Sequence, residues 1–167
     1  MSKKQFVIAD PHFGHKGIIT FENGRNFKTI EDHDDCIIYN WNSVVSPEDT
    51  VYVLGDVAMN RRCIATVGRC NGRKILIKGN HDIFKLKDYA PYFEDIRAYK
   101  IFPDKKMILS HIPIHTQCMD RWDINVHGHL HGENVIDPDD AFNDRRYRCV
   151  SCEQVKFTPV NLEDLIL

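Results

Sequence analysis

Five times along this chain a five-residue run of mostly apolar residues stops at side chains able to bind a metal. Gln5–Ala9 ends at Asp10-Pro11-His12, Thr50–Leu54 at Gly55-Asp56, and Lys74–Lys78 at Gly79-Asn80-His81-Asp82. Lys106–Ser110 ends at His111, and Asp123–His127 at Gly128-His129-Leu130-His131. Short apolar runs bounded by Gly, Pro and Asp read as buried strands. Between the first two, Ile30, Ile37, Trp41 and Val44 recur at helical spacing. A Thr29-x-x-Asp32 cap opens that helix, which is expected to run to about Val45. Alternation of this kind predicts an α/β fold. Helices cover the sheet faces, and loops meet at the open carboxyl ends of the strands.

The pattern predicts further elements. Ser46-Pro47-Glu48-Asp49 is a turn. Asn60–Cys70 and a stretch around Ile83–Tyr89 are short helices. Glu94–Ile101 is one strand, joined to the Lys106 strand through a Pro103-Asp104 turn. Residues 133–145, rich in Asp and Asn, form a loop. Tyr147–Ser151 and Val155–Phe157 are late strands, and Asn161 caps a short terminal helix. Residues 1–167 form a single domain, since no repeat, low-complexity tract or linker divides them.

Composition narrows the function. The net charge of -2 supplies no global field for nucleic acid or an anionic membrane, so an anionic substrate must be attracted locally. No apolar run approaches the length of a membrane span. The two lysines at the start are followed only by Phe6–Ala9, too short for a signal peptide, and the expected location is cytoplasmic. Six cysteines at 36, 63, 70, 118, 149 and 152 are then expected to be reduced. Cys149-Val-Ser-Cys152 has the spacing of half a zinc site, but without a second pair it reads as buried structural thiols.

The candidate ligands are Asp10, His12, Asp56, Asn80, His111, His129 and His131, seven N or O donors and no thiolate. One divalent ion does not need seven; two do, particularly if a carboxylate bridges. Imidazole mixed with carboxylate suits manganese, iron, zinc, cobalt or nickel better than calcium. In extended backbone, residues two apart share a face, so Asp10 and His12 are expected to point at one site, as are His129 and His131. Gly55, Gly79 and Gly128 precede ligand candidates, where the chain must turn sharply or approach an ion closely.

The ordered set Asp10-Pro-His12, Gly55-Asp56, Gly79-Asn-His-Asp82, His111 and Gly128-His-Leu-His131 resembles the signature of the calcineurin-like metallophosphoesterases. Asp10-Pro-His-Phe-Gly-His15, Asn40-Trp41-Asn42 and Thr158-Pro159-Val160 are similar to the small bacterial and phage members that lack a cap domain. Asn26 stands where their Arg-Pro-Phe segment has proline, and Cys152 where an acidic residue is commoner. The resemblance implies a four-layer α/β/β/α sandwich of two mixed sheets, with the metal site at the carboxyl ends of strands. It implies two divalent ions, manganese first among the candidates. Asp10, His12, Asp56 and His131 would hold one, and Asp56, Asn80, His111 and His129 the other, with Asp56 bridging. Solvent shared by the ions would be the nucleophile. His81 would protonate the leaving oxygen, and Asp82 would orient His81.

By the same resemblance the function is phosphodiester hydrolysis on a small nucleotide-type substrate. A phosphomonoesterase is the near alternative, and a nuclease or a silent binding scaffold ranks lower. Asn80, His15 and Arg25 are the candidate substrate contacts. For His15 packing is an equal reading, and for Arg25, Arg145 and Arg146 a solvated loop is the commoner one. His33 and His127 read as core histidines and His115 as a rim residue. Trp41 reads as helix core, and Trp122 as core or pocket wall. The oligomeric state is open.

Overall fold

In the computed structural model, residues 3–139 and 141–166 are described. Met1 and Ser2 of the lysine-bearing start, Asp140 of the polar loop and Leu167 lie outside that set. The elements in chain order are β1 (Gln5–Ile8), α1 (Ile18–Phe21), α2 (Ile30–Val44), β2 (Thr50–Val53), β3 (Arg73–Ile77) and α3 (Leu86–Tyr89). β4 (Asp95–Arg97), β5 (Lys100–Phe102), β6 (Met107–Leu109), β7 (Ile124–His127), β8 (Tyr147–Cys149) and β9 (Val160–Asn161) follow. The long helix begins where its cap predicts: Thr29 Oγ1 accepts from the Asp32 N–H at 3.1 Å.

Two mixed sheets result. The first has the order β4-β3-β2-β1-β9, with β1 to β4 parallel and β9 antiparallel. The second has the order β5-β6-β7-β8, with β5 antiparallel to β6 and the remainder parallel. Strand alternation divides the apolar residues between two cores. Phe6, Ile8, Val51, Val53 and Leu76 pack with Ile37, Ile38 and Trp41 of α2. On the opposite face Val7, Ala9, Tyr52, Leu54 and Ile77 pack with Met107, Leu109, Ile124 and Val126 of the second sheet. The first sheet is therefore buried on both sides, which is why its strands read as unbroken apolar runs.

Helix α2 is fastened by its own polar side chains to the segment that leads into β3. Trp41 is fully buried, and its Nε1–H donates to the Asn71 carbonyl at 2.9 Å. Asn42 accepts from the Asn71 N–H at 2.7 Å and donates to the Arg69 carbonyl at 3.0 Å. On the outer face of the second sheet, Asn125 accepts from the Ile114 N–H and Tyr147 Oη donates to the Ile114 carbonyl. No helix among the described residues is long and apolar enough to cross a membrane.

Three sequence expectations change. Glu94–Ile101 is not one strand. β4 pairs with β3 in the first sheet and β5 with β6 in the second, so the chain changes sheet between Arg97 and Lys100. No Gly or Pro marks that crossing, and strand pairing alone decides it. Val155–Phe157 is a turn, with Lys156 at φ 52° and Phe157 at φ 57°. Phe157 instead packs edge-on to Phe27, with ring centroids 5.1 Å apart, and the last strand forms three residues later. The expected helix at Asn60–Cys70 is a 3-10 helix at Arg61–Arg69, capped by Asn60 through the Arg62 N–H.

Trp41→Phe keeps the ring but leaves the Asn71 carbonyl without its donor and part of the pocket unfilled. The expected cost is about 1–3 kcal/mol, read as a lower urea midpoint at unchanged m-value.

Candidate metal centre

β1, β2 and β3 are neighbours in the first sheet, and β6 and β7 in the second. The loops that leave these five strands bring all seven candidate ligands together. Asp10, His12 and His131 present donor atoms mutually within 4.8 Å, and so do Asp10, Asp56 and His111. Asp56 stands between the two halves: Oδ2 is 3.7 Å from His12 Nε2, and Oδ1 is 3.5 Å from His111 Nε2. Asn80 Oδ1 lies 2.8 Å from His111 Nε2 and 3.0 Å from His129 Nδ1.

The way these side chains converge differs from the expected extended parity. Asp10, His12, Asp56, His129 and His131 all have left-handed backbone, with φ of 56°, 48°, 54°, 69° and 52°. Each ligand is aimed by a tight loop, at a conformational cost of order 1 kcal/mol apiece. The glycines play the part expected of them. Gly55 has φ 83°, and a Cβ there would lie 2.6 Å from Gly79 Cα and from His111 Nδ1. A Cβ on Gly79 would fall 2.2 Å from Asp56 Oδ1, and one on Gly128 2.6 Å from Asp10 Oδ2.

Hydrogen bonds hold the loops in place. Asp82 is buried and does not orient the His81 ring as expected. Its carboxylate accepts from the Asp56 and Gly79 N–H groups, both at 2.8 Å, and from Val57 N–H at 3.0 Å. A carboxylate three residues after Gly79 can fold back onto that loop, and burial then commits both oxygens to backbone donors. Asp10 Oδ2 accepts from the His129 N–H at 2.9 Å and from Ser151 Oγ at 2.6 Å. His111 Nδ1–H donates to the Leu54 carbonyl at 2.7 Å, which turns Nε2 towards Asp56.

Arg25 is a correction to both of its sequence readings. It neither lies in a solvated loop nor presents itself to a substrate, being fully buried. Its Nε–H donates to Glu153, Nη2–H to the Asp10 carbonyl at 2.6 Å, and Nη1–H to the Pro11 carbonyl at 3.3 Å. Burial compels the guanidinium to find acceptors, and the ligand loop supplies them. Glu153 also accepts from His131 Nδ1–H at 3.1 Å. Glu153 and Ser151 escaped the sequence reading, although an acidic residue beside Cys152 was the available signal.

The remaining candidates divide between the rim of the cluster, the core and the surface. His81 is 45% exposed, with its ring 5.9 Å from that of His12 and Nε2 4.0 Å from Asp56 Oδ2. His15 is half-buried, its ring centroid 5.7 Å from His12 and 6.3 Å from Phe21. His33 and His127 are core histidines, and His115 is exposed at the cap of a 3-10 turn that ends at Trp122. Arg146 is paired with Asp144 at 2.7 Å. Cys152 is buried, Cys149 lies against Ser151 Oγ at 3.2 Å, and neither is in a disulfide.

Do these residues suit a cation? Asp10 Oδ1 and both nitrogens of His12 are buried without a hydrogen-bond partner, a costly state unless something satisfies them. Burial, with Arg25 nearby, pushes the His12 imidazole down to about 2, so the ring is neutral and one nitrogen offers a free lone pair. His111 Nε2 and Asn80 Oδ1 are both acceptors, yet they stand at hydrogen-bond distance. Neighbouring ligands on bonds of about 2.1 Å have a separation of about 3 Å. The donor set could hold a metal ion.

Comparison with known proteins places the chain among relatives. No known family profile matches it. It is 34% identical over 172 residues to the uncharacterized protein MJ1445 of Methanocaldococcus jannaschii, an alignment spanning 99% of this chain and 90% of that protein. The chain belongs to the MJ1445 family. Membership takes in every loop that carries a candidate ligand, because the shared region leaves out at most the ends of the chain. The gene 66 protein of Mycobacterium phage L5 is 31% identical over 117 residues, 67% of this chain and 52% of the phage protein. The crystal structure of the protein of unknown function AQ665 from Aquifex aeolicus matches at a TM-score of 0.73 and 28% identity. That match covers 98% of both chains.

Asp10 carries the cost of the metal-free state. Burial raises its carboxyl to about 6, against opposing help from His111 and Ser151. A folded-state value above the unfolded one favours the protonated fold, so this contribution is present at acid pH and lost as pH rises towards 6. At neutral pH the ionised Asp10 destabilises the metal-free fold by about 2–3 kcal/mol. Asp10→Asn should therefore raise the melting temperature of chelated protein at pH 7 while lowering its metal uptake. A lower melting temperature in the variant would contradict this account.

Proposed function

We propose that this protein is a dinuclear-metal phosphoesterase of the calcineurin-like kind, acting on a small phosphodiester of nucleotide type. The observation that carries the reading is the position of Asp56. It lies between the Asp10–His12–His131 group and the Asn80–His111–His129 group, within 3.7 Å of a histidine nitrogen from each. The four-layer sandwich, a metal site at the strand ends and manganese as first candidate belong to this proposal. A cytoplasmic setting belongs to it as well, supported by six free cysteines.

Two divalent ions held there would supply a solvent nucleophile near neutral pH and offset charge on the phosphoryl oxygens. Asp10, His12, Asp56 and His131 would hold one, and Asp56, Asn80, His111 and His129 the other. The chain's own groups do the rest. His81 reaches the cluster from an exposed position, with its ring nitrogen towards Asp56 and room for a leaving oxygen to approach. It is the group placed to deliver a proton there. His15 and Phe21 extend the rim beyond His12, where the alcohol part of an ester can rest. Arg25, committed to Glu153 and two backbone carbonyls, brings no charge to the substrate. That favours a singly charged diester over a doubly charged monoester.

The deciding experiment compares chelated protein, verified metal-free by elemental analysis, with protein reconstituted with manganese. A panel of cyclic nucleotides, dinucleotides and nucleoside monophosphates serves as substrate. Activity is expected only after reconstitution and more on diesters than on their monoester products. Full turnover without metal would end the proposal.

His81→Ala separates proton delivery from metal binding. The variant is expected to retain its metal content and to lose about 10²–10⁴-fold in rate on a dinucleotide, whose alkoxide leaves poorly without a proton. On a nitrophenyl diester, whose leaving group needs none, the loss should be much smaller. Equal losses on both substrates would assign His81 to another role.

A further inference from the structure

We propose that Glu153 makes the half of the centre built from Asp10, His12 and His131 the tighter of the two cation sites. It does so by holding His131 as an Nδ1–H donor to a buried carboxylate, while Arg25 balances the charge. The inference rests on the dinuclear reading and adds an order of affinity to it.

The two halves differ in what stands behind their histidines. His131 Nδ1–H donates to Glu153 Oε1 at 3.1 Å. His111 Nδ1–H donates to a neutral backbone carbonyl, that of Leu54. His129 Nδ1 lies 3.0 Å from Asn80 Oδ1, itself a candidate ligand of the same half, and among the described residues no carboxylate is hydrogen-bonded to the His129 ring. A carboxylate partner makes an imidazole more basic at its other nitrogen than a neutral carbonyl does, and fixes its tautomer and ring direction. The Glu153 side chain is only 4% exposed, so water does little to screen that effect.

The supporting groups brace Asp10 and His131 directly and the loop that leads into His12, whose ring nitrogens have no hydrogen-bond partner. Ser151 Oγ donates to Asp10 Oδ2, and Glu153 takes His131. Arg25 clamps the carbonyls of Asp10 and Pro11, in the loop that leads into His12. A buried carboxylate without a counter-charge would be too costly, and the fully buried Arg25 supplies one. In the other half, Asn80 is exposed and His129 half-buried. The braces there are bonds to backbone, from Asp82 to the Asp56 and Gly79 N–H groups and from His111 to the Leu54 carbonyl, with no carboxylate among the described residues hydrogen-bonded to a histidine ring. Glu22, His131 and Glu153 also lie close enough to hold an ion of their own. A cation there would stand beside the Arg25 guanidinium on the same carboxylate, so Glu153 is read as a positioning residue.

The test is a stepwise cobalt titration of metal-free protein followed by visible absorption, in wild type and Glu153→Gln. Wild type should fill in two steps of different affinity. In Glu153→Gln the tighter step should weaken by about 10–100-fold while the weaker step stays in place. Metal-free nitrogen NMR at alkaline pH gives a second readout: the His131 proton should sit on Nδ1 in wild type and be redistributed in the variant. Should the single variant fail to fold, Arg25→Gln with Glu153→Gln removes both charges together and should show the same selective loss. Two unchanged steps, or equal weakening of both, would overturn the inference and leave the dinuclear reading standing. Wild type that takes up no cobalt would overturn both.

Discussion

The Asp82 carboxylate is the point on which the candidate centre depends. It gathers three backbone N–H groups from two loops, those that follow β2 and β3, and so fixes where Asp56 and Asn80 can stand. The need for such a clamp comes from the backbone. Five of the seven candidate ligands are held in left-handed conformation, each at a cost of order 1 kcal/mol. A domain stable by only about 5–15 kcal/mol can keep that arrangement only if buried hydrogen bonds determine it. Asp82, Ser151 and the Arg25–Glu153 pair are those bonds. None of them needs to touch a substrate.

The same economy explains the polar atoms left unpaired. A protein folding for stability alone would not bury Asp10 Oδ1 and both His12 nitrogens without partners. Here they stand together at the ends of strands whose other residues are well packed. The two apolar cores on either side of the first sheet make this tolerable. They hold β1, β2 and β3 rigid up to the residue before each ligand loop begins. Left-handed backbone and unsatisfied polarity are concentrated at that edge, as expected where structure serves a site.

Much of this was legible in the sequence. Asp10, His12, Asp56, Asn80, His111, His129 and His131 were all named from their positions after apolar runs, and they meet. Thr29 capped the helix it was expected to cap, and Trp41 is in its core. The sequence failed where a residue's role is set by partners far along the chain. Asp82 follows His81 directly and looked like its orienter, but its partners begin at Asp56, 26 residues back. Arg25 looked like a loop cation, but its acid lies 128 residues away. The stretch from Glu94 to Ile101 looked like one strand because a local pattern cannot say which sheet will accept each half.

The sequence by itself determined the fold class, five strand ends and the chemical identity of the candidate ligands. Hydrophobic periodicity and residue chemistry are local, and they survive in the order of the amino acids. Only the tertiary structure decided how the ligands are aimed, through left-handed loops where alternation had suggested extended chain. It alone decided that Arg25 and Glu153 sit beneath His131 and the Asp10 loop. Such contacts close over more than a hundred residues, and burial selects them once two sheets and a helix have packed. The amino-acid order specifies that packing as a whole, but no short stretch of it carries the instruction.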